Sequence, residues 1–180
     1  MENIMFRETL MLLQKEHASL MKELERVSGQ VGRSYETGGG WHDNPDWLNL
    51  LRQQKSRMQN LATVRQFLHD PKFIEDLPPE SGVLPTVRPG MCAKTLDIDT
   101  QEMDVYGIVG AADLVFNPRY RESKGREICF ASVDSPLAQQ LLGKTMGEMV
   151  TLMLPRKVLS VMILSVFPIV DHTEETEDEP

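Results

Sequence analysis

The residues best suited to chemistry crowd into one stretch, Gly38-Gly39-Gly40-Trp41-His42-Asp43-Asn44-Pro45-Asp46-Trp47. It holds two carboxylates three positions apart, an imidazole and two indoles. Carboxylates are hard oxygen donors that suit a divalent cation. An imidazole beside them can touch a phosphate or a water. Each residue also has a plain structural reading. Asp43 can cap the helix that Asn44-Pro45 opens, Asp46 in a first turn answers the helix dipole, and a loop histidine such as His42 needs no role.

The flanking patterns decide where this stretch sits. Upstream, over residues 4–35, Phe6, Leu10, Leu13, His17, Leu20, Leu24, Val27 and Val31 recur at alternating four and three spacing. That is a heptad seam, with His17 as a polar seam position that helps fix register. Downstream, over residues 45–68, Leu51, Met58, Leu61 and Leu68 mark a second stripe, interrupted by Gln54 and Arg65 and stopped by Pro71. Three consecutive glycines cannot continue a helix. The two helices are therefore expected to fold back as an antiparallel coiled coil over residues 1–72, about 45 Å long at 1.5 Å per residue, with the reactive stretch at its tip, 36–46.

Residues 73–90 change character. Pro78, Pro79, Pro85 and Pro89 with Gly82 and Gly90 read as a linker. A second domain is expected over 91–168, with strands at 91–98, 105–109, 128–132, 150–154 and 158–167. A charged loop fills 117–126. One short helix begins at Asp134-Ser135-Pro136 and ends at Gly143. The fold class is α+β: a helical hairpin followed by a small antiparallel sheet with one short helix.

Composition bounds the rest. The chain has 180 residues, with 41% hydrophobic and 26% charged content, as in an ordinary globular protein. No apolar run is long enough to span a bilayer, and no signal-peptide pattern opens the chain, so a cytoplasmic protein is expected. Cys92 and Cys129 lie far apart outside any CxxC motif and read as buried reduced thiols. The net charge of −8 misleads, because residues 171–180 carry six acids and no Lys or Arg. The body is nearly neutral, and 169–180 reads as an acidic disordered tail. The helix charges are mixed and no basic region stands out, which argues against a DNA-binding coiled coil.

The second domain carries specific residues: Val105-Tyr106-Gly107-Ile108-Val109-Gly110, Ala112-Asp113, Ser132-Val133-Asp134-Ser135-Pro136-Leu137-Ala138, and Leu141-Leu142-Gly143-Lys144-Thr145-Met146-Gly147-Glu148. With His42-Asp43-Asn44-Pro45-Asp46-Trp47 and Gln53-Gln54, this set resembles the bacterial Gre transcript-cleavage and elongation factors over residues ~4–167. The resemblance implies an FKBP-like second domain that docks on RNA polymerase around Asp134, Ser135 and Pro136. It implies a coiled coil reaching down the polymerase secondary channel, with the tip (Gly40, Trp41, His42, Asn44) near the nascent RNA 3′ end. Asp43, and with it Asp46, would help hold a Mg²⁺ shared with the polymerase active centre, so that the polymerase itself cuts the backtracked transcript. Arg33 and Arg52, within a few turns of the tip, are positioned for RNA phosphate. The family's principal metal-binding Asp aligns with Gly40, a departure that makes a channel-occupying paralogue, regulating or inhibiting without cleavage, the alternative. A coiled-coil chaperone or adaptor with an isomerase-like domain is the further alternative. It fits poorly, because the tip is polar and the second domain lacks Trp for a proline pocket. A hairpin that buries its own seam favours a monomer.

Overall fold

The computed structural model describes residues 3–37, 44–78, 82, 84–121, 128–154 and 157–169. It divides into two compact units, Glu8–Pro71 and Met1–Arg7 with Lys72–Pro180. The expected tail from residue 170 onward lies outside the described residues.

In chain order the elements are β1 (Ile4–Met5), α1 (Arg7–Thr37), α2 (Pro45–Leu68), β2 (Lys72–Phe73), a 3-10 turn (Ile74–Asp76), β3 (Met91–Asp97) and β4 (Met103–Val109). They continue with α3 (Ala111–Phe116), α4 (Pro118–Arg121), β5 (Ile128–Ser132), α5 (Pro136–Leu141), β6 (Met149–Leu154) and β7 (Lys157–Pro168).

In the hairpin unit, α1 keeps the expected seam. Leu13, Leu20 and Val27 are buried, and Leu10, His17, Leu24 and Val31 are half-buried between them. The stripe of α2 is kept in part: Leu51, Leu61 and Leu68 are half-buried or buried as expected, and Trp47, Leu50, Gln54, Arg57, Val64 and Phe67 are turned inward with them. Met58 is 56% exposed, one residue off the seam. The face is chosen by polar contacts with α1. Arg57 Nε lies 2.8 Å from Glu23 Oε2. Gln54 Nε2 donates to Ser28 Oγ at 2.9 Å, and Arg65 Nε donates to His17 Nε2 at 3.4 Å. Arg57 and Glu23 are both about 40% exposed, so a pair of this kind contributes about 0–1 kcal/mol.

The start of the chain does not belong to the hairpin. β1 pairs in parallel with β2, Ile4 opposite Lys72 and Met5 opposite Phe73. The Phe6 ring stacks on Tyr120 with centroids 5.3 Å apart. Phe6 is thus a residue of the globular unit and not of the heptad seam. Its backbone N–H donates to Asp113 Oδ1 at 3.1 Å, and the Gly110 N–H donates to Asp113 Oδ2 at 2.9 Å. Asp113 is fully buried. A Cβ on Gly110 would overlap the Ile4 carbonyl oxygen, so this close approach requires glycine. The described residues of the segment read as a linker, 73–90, are also structured within this unit. Ile74 and Val87 are buried, and Thr86 bridges Thr145.

The main sheet has the order β5-β4-β3-β7-β6. It is mostly antiparallel, as expected, but β5 lies parallel to β4, with Val105 opposite Ile128. A parallel pair needs a crossover, and this one contains α3 and α4. Residues 117–121 are accordingly helix and turn, and the unit has three short helices where one was expected. Ala138 and Leu141 of α5 pack into the core with Tyr106, Ile108, Leu152, Val161 and Ile163. On the opposite face, Phe130 stands edge-on to Tyr120. Both cysteines are free. Cys92 is buried, which pushes its thiol up to about 11. Cys129 is exposed, contrary to expectation, because it lies on the edge strand β5.

The Gly143–Glu148 run builds a turn. Gly143 and Gly147 take φ of +77° and +88°, a region that favours glycine. The Glu148 carboxylate accepts from the Thr145 N–H at 2.6 Å and from Lys144 Nζ at 3.1 Å. The Thr145 N–H first, and then the Lys144 ammonium, hold this carboxyl below the usual glutamate range. Its contribution to stability is complete above the unfolded-state value and is lost as pH falls through the lower folded-state value. In Glu148→Gln this component is absent. The thermal midpoint of the wild type should exceed that of the variant at neutral pH, and the gap should close in acid. A gap independent of pH would contradict this account.

Candidate functional site

Residues 38–43 lie outside the described residues, and with them Gly40, Trp41, His42 and Asp43. The base of the tip is described, and Asn44 is its centre. Pro45 has no N–H and a fixed φ, so it sits in the first turn and leaves the preceding residue as the cap. Asn44 has extended φ/ψ of −107° and 91°, and its Oδ1 accepts from the Trp47 N–H at 3.1 Å. Its carbonyl accepts the first helical bond, from the Leu48 N–H at 3.2 Å. The cap expected at Asp43 is therefore one residue later, and Asp43 is not needed for capping.

Asn44 makes a second set of bonds. Its Nδ2 donates to the Ser34 carbonyl at 3.2 Å and lies 3.4 Å from Ser34 Oγ. Sequence reasoning placed Asn44 in the tip but did not find Ser34. The available signal was the residue type, since Asp, Ser or Thr would cap as well but could not also donate an amide N–H.

Around this base, Asp46 is exposed in the first turn of α2, and Trp47 is half-buried. Arg33 and Arg52 are both exposed near the tip end of their helices. Arg52 Nη1 donates to Asn49 Oδ1 at 3.4 Å. Among the described residues no three His, Cys, Asp or Glu side chains converge as a metal site. Asp46 offers one hard oxygen donor group. Such a donor set fits a Mg²⁺ shared with another active centre, since Mg²⁺ often takes only one or two protein carboxylates.

The other expected contact is the turn before α5, in the globular unit. Ser135 is its N-cap, with Oγ accepting from the Ala138 N–H at 3.2 Å. Gln139 Nε2 braces the turn from the other side, donating to the Val133 carbonyl at 2.8 Å. Asp134 and Pro136 are exposed on either side of the cap. Ser135 thus has a structural task that leaves its neighbours presented to solvent. No helix among the described residues is long and apolar enough to cross a membrane.

Residues 83–168 match the family described as transcription elongation factor, GreA/GreB, C-term. A curated relative, transcription elongation factor GreA of a Nitratiruptor species, is 26% identical over 160 residues, covering 86% of each chain. Among solved structures, GreA factor homolog 1 (Gfh1) of Thermus thermophilus is 14% identical with a TM-score of 0.40, over 92% of this chain and 99% of that one. A GreA/GreB factor from Nitrosomonas europaea is 19% identical with a TM-score of 0.35, over 68% of this chain and 90% of that one. Superpositions this loose add nothing to the assignment, which rests on the family match and the curated relative. Residues 83–168 match a GreA/GreB-type C-terminal domain, and over most of its length the chain is similar to Gre-type transcription elongation factors.

Proposed function

We propose that this protein acts in the cytoplasm as a monomeric accessory factor of RNA polymerase and is not itself an enzyme. The exposed turn of Asp134 and Pro136, held by the Ser135 cap, docks on the polymerase. The hairpin enters the secondary channel, and its tip presents Asp43, with Asp46 beside it, to the polymerase active centre. There the carboxylates help hold a Mg²⁺, which stabilises the oxygens of an in-line phosphoryl displacement, so that a backtracked transcript is cut. Arg33 and Arg52 meet RNA phosphate. The observation that carries this reading is the capping of α2 by Asn44. It relieves Asp43 of the structural task that would otherwise account for it.

Gly40 favours a second reading, because it offers no side chain where the Gre resemblance places the principal acid. In that case the factor occupies the channel and regulates or inhibits transcription without cleavage. An RNA-cleavage time course on defined backtracked complexes with Mg²⁺ separates the two. The expected result is faster cleavage with the wild type and its loss with Asp43→Ala. Binding without acceleration would establish the second reading, and absence of binding would overturn both.

A further inference from the structure

The hairpin has a weak end next to its tip. Gly29 and Gly32 lie in the last third of α1, and a Cβ at either would meet nothing within 4 Å. Packing does not require them, and each lowers helix propensity relative to Ala. Residues 38–40 add three more glycines to the connection.

Asn44 joins the two helix ends directly. Ser34 lies in the last turn of α1, and the N–H of Trp47 is among the first four of α2, which have no intrahelical acceptor. One side chain reaches both: Oδ1 takes the Trp47 N–H at 3.1 Å, and Nδ2 gives to the Ser34 carbonyl at 3.2 Å. The two helix ends that bracket residues 38–43 are thereby tied through a single planar amide. Capping alone needs only an acceptor. The donor half of the side chain is spent entirely on the other helix.

We infer that Asn44 is a positioning residue: it clasps the C-terminal turn of α1 to the N-terminal turn of α2 and so fixes where the Asp46 carboxylate, in the first turn of α2, is presented. This inference rests on the proposed action at the polymerase active centre but has a readout independent of it. Asn44→Asp keeps the cap acceptor and removes the donor, and Asn44→Ser keeps the acceptor but replaces the amide by one hydroxyl on a side chain too short to span both partners, so they separate clasping from capping. In Asn44→Asp a carboxylate oxygen replaces the amide nitrogen opposite the Ser34 carbonyl, so the contact becomes repulsive.

Both tryptophans of the chain, Trp41 and Trp47, flank Asn44. Indole emission therefore reports on the tip alone. With the full-length protein, acrylamide quenching of that emission should rise about twofold in both variants, with helical circular dichroism retained. On backtracked complexes the concentration giving half-maximal effect should stay that of the wild type. The maximal effect on cleavage or inhibition should fall about tenfold or more, as expected for a displaced reactive group. A structural defect confined to helix stability would instead lower helical content and shift the half-maximal concentration. Wild-type quenching together with a wild-type plateau overturns the clasp. If the wild type has no effect on polymerase, the proposed function fails, and quenching alone decides the clasp: a rise supports it and no change overturns it.

Discussion

Asp113→Ala should destabilise the globular unit by about 2–4 kcal/mol, the cost of leaving buried donors unsatisfied. The fully buried carboxylate joins segments 107 positions apart in sequence, receiving the Phe6 N–H at 3.1 Å and the Gly110 N–H at 2.9 Å. Alanine leaves two backbone donors without acceptors in a site that glycine at 110 has already made too tight for water to replace the side chain easily. Asp113→Asn keeps the shape and one acceptor oxygen, so it should lose roughly half as much. Denaturant unfolding followed by circular dichroism measures both. At about 4–8 °C per kcal/mol for a domain of this size, the alanine variant should melt at least about 8 °C lower. The loss should be accompanied by early hydrogen exchange at Phe6, because β1 and the Phe6–Tyr120 stack are tied to the unit at this point. A change below about 1 kcal/mol would show that the N-terminal strand is held by other contacts.

Gly40→Asp should confer or strengthen transcript cleavage by about tenfold or more, equivalent to about 1.4 kcal/mol of barrier. The substitution restores a carboxylate at the position where the Gre resemblance places the principal acid. It would add a third carboxylate to those of Asp43 and Asp46, from which a Mg²⁺ would take the one or two that it commonly accepts. Adding a Cβ within a run of three glycines also narrows the conformations open to the tip. The measurement is single-turnover cleavage in backtracked complexes at saturating factor. The double variant Gly40→Asp, Asp43→Ala assigns any gain to one residue or the other. No gain at saturation, with binding intact, would show that the tip of this protein does not work through a shared cation.

Both predictions depend on features that differ in how far the chain discloses them before folding. The α1 seam was readable because heptad spacing is a local property: any helix with Leu13, Leu20 and Val27 on one stripe will bury that stripe. The break between α1 and α2 was readable for a similar reason, since three glycines with Asn44-Pro45 shortly after them exclude a continuous helix. Five strands in roughly the right places followed from alternation, and the Ser135-Pro136 helix start from its cap.

Every question that turned on a distant partner was answered only by the folded molecule. Met58 had the better hydrophobic claim to the α2 seam, yet Arg57 took the position because Glu23 stands opposite it. Phe6 fitted the heptad in phase, but its N–H and ring are claimed by Asp113 and Tyr120. The proline-rich stretch before β3 looked like a linker, and Val87 is nevertheless core. The parallel β4–β5 pair gave residues 117–121 a crossover to build. The cap moved from Asp43 to Asn44 because Pro45 fixes the first turn and Ser34 supplies a second partner for the amide. Period and turn chemistry are properties of neighbouring residues, so the elements of this protein were already written into its amino-acid order. Which polar groups find each other across the fold is settled by burial, where an unpartnered donor or acceptor costs more than an exposed methionine.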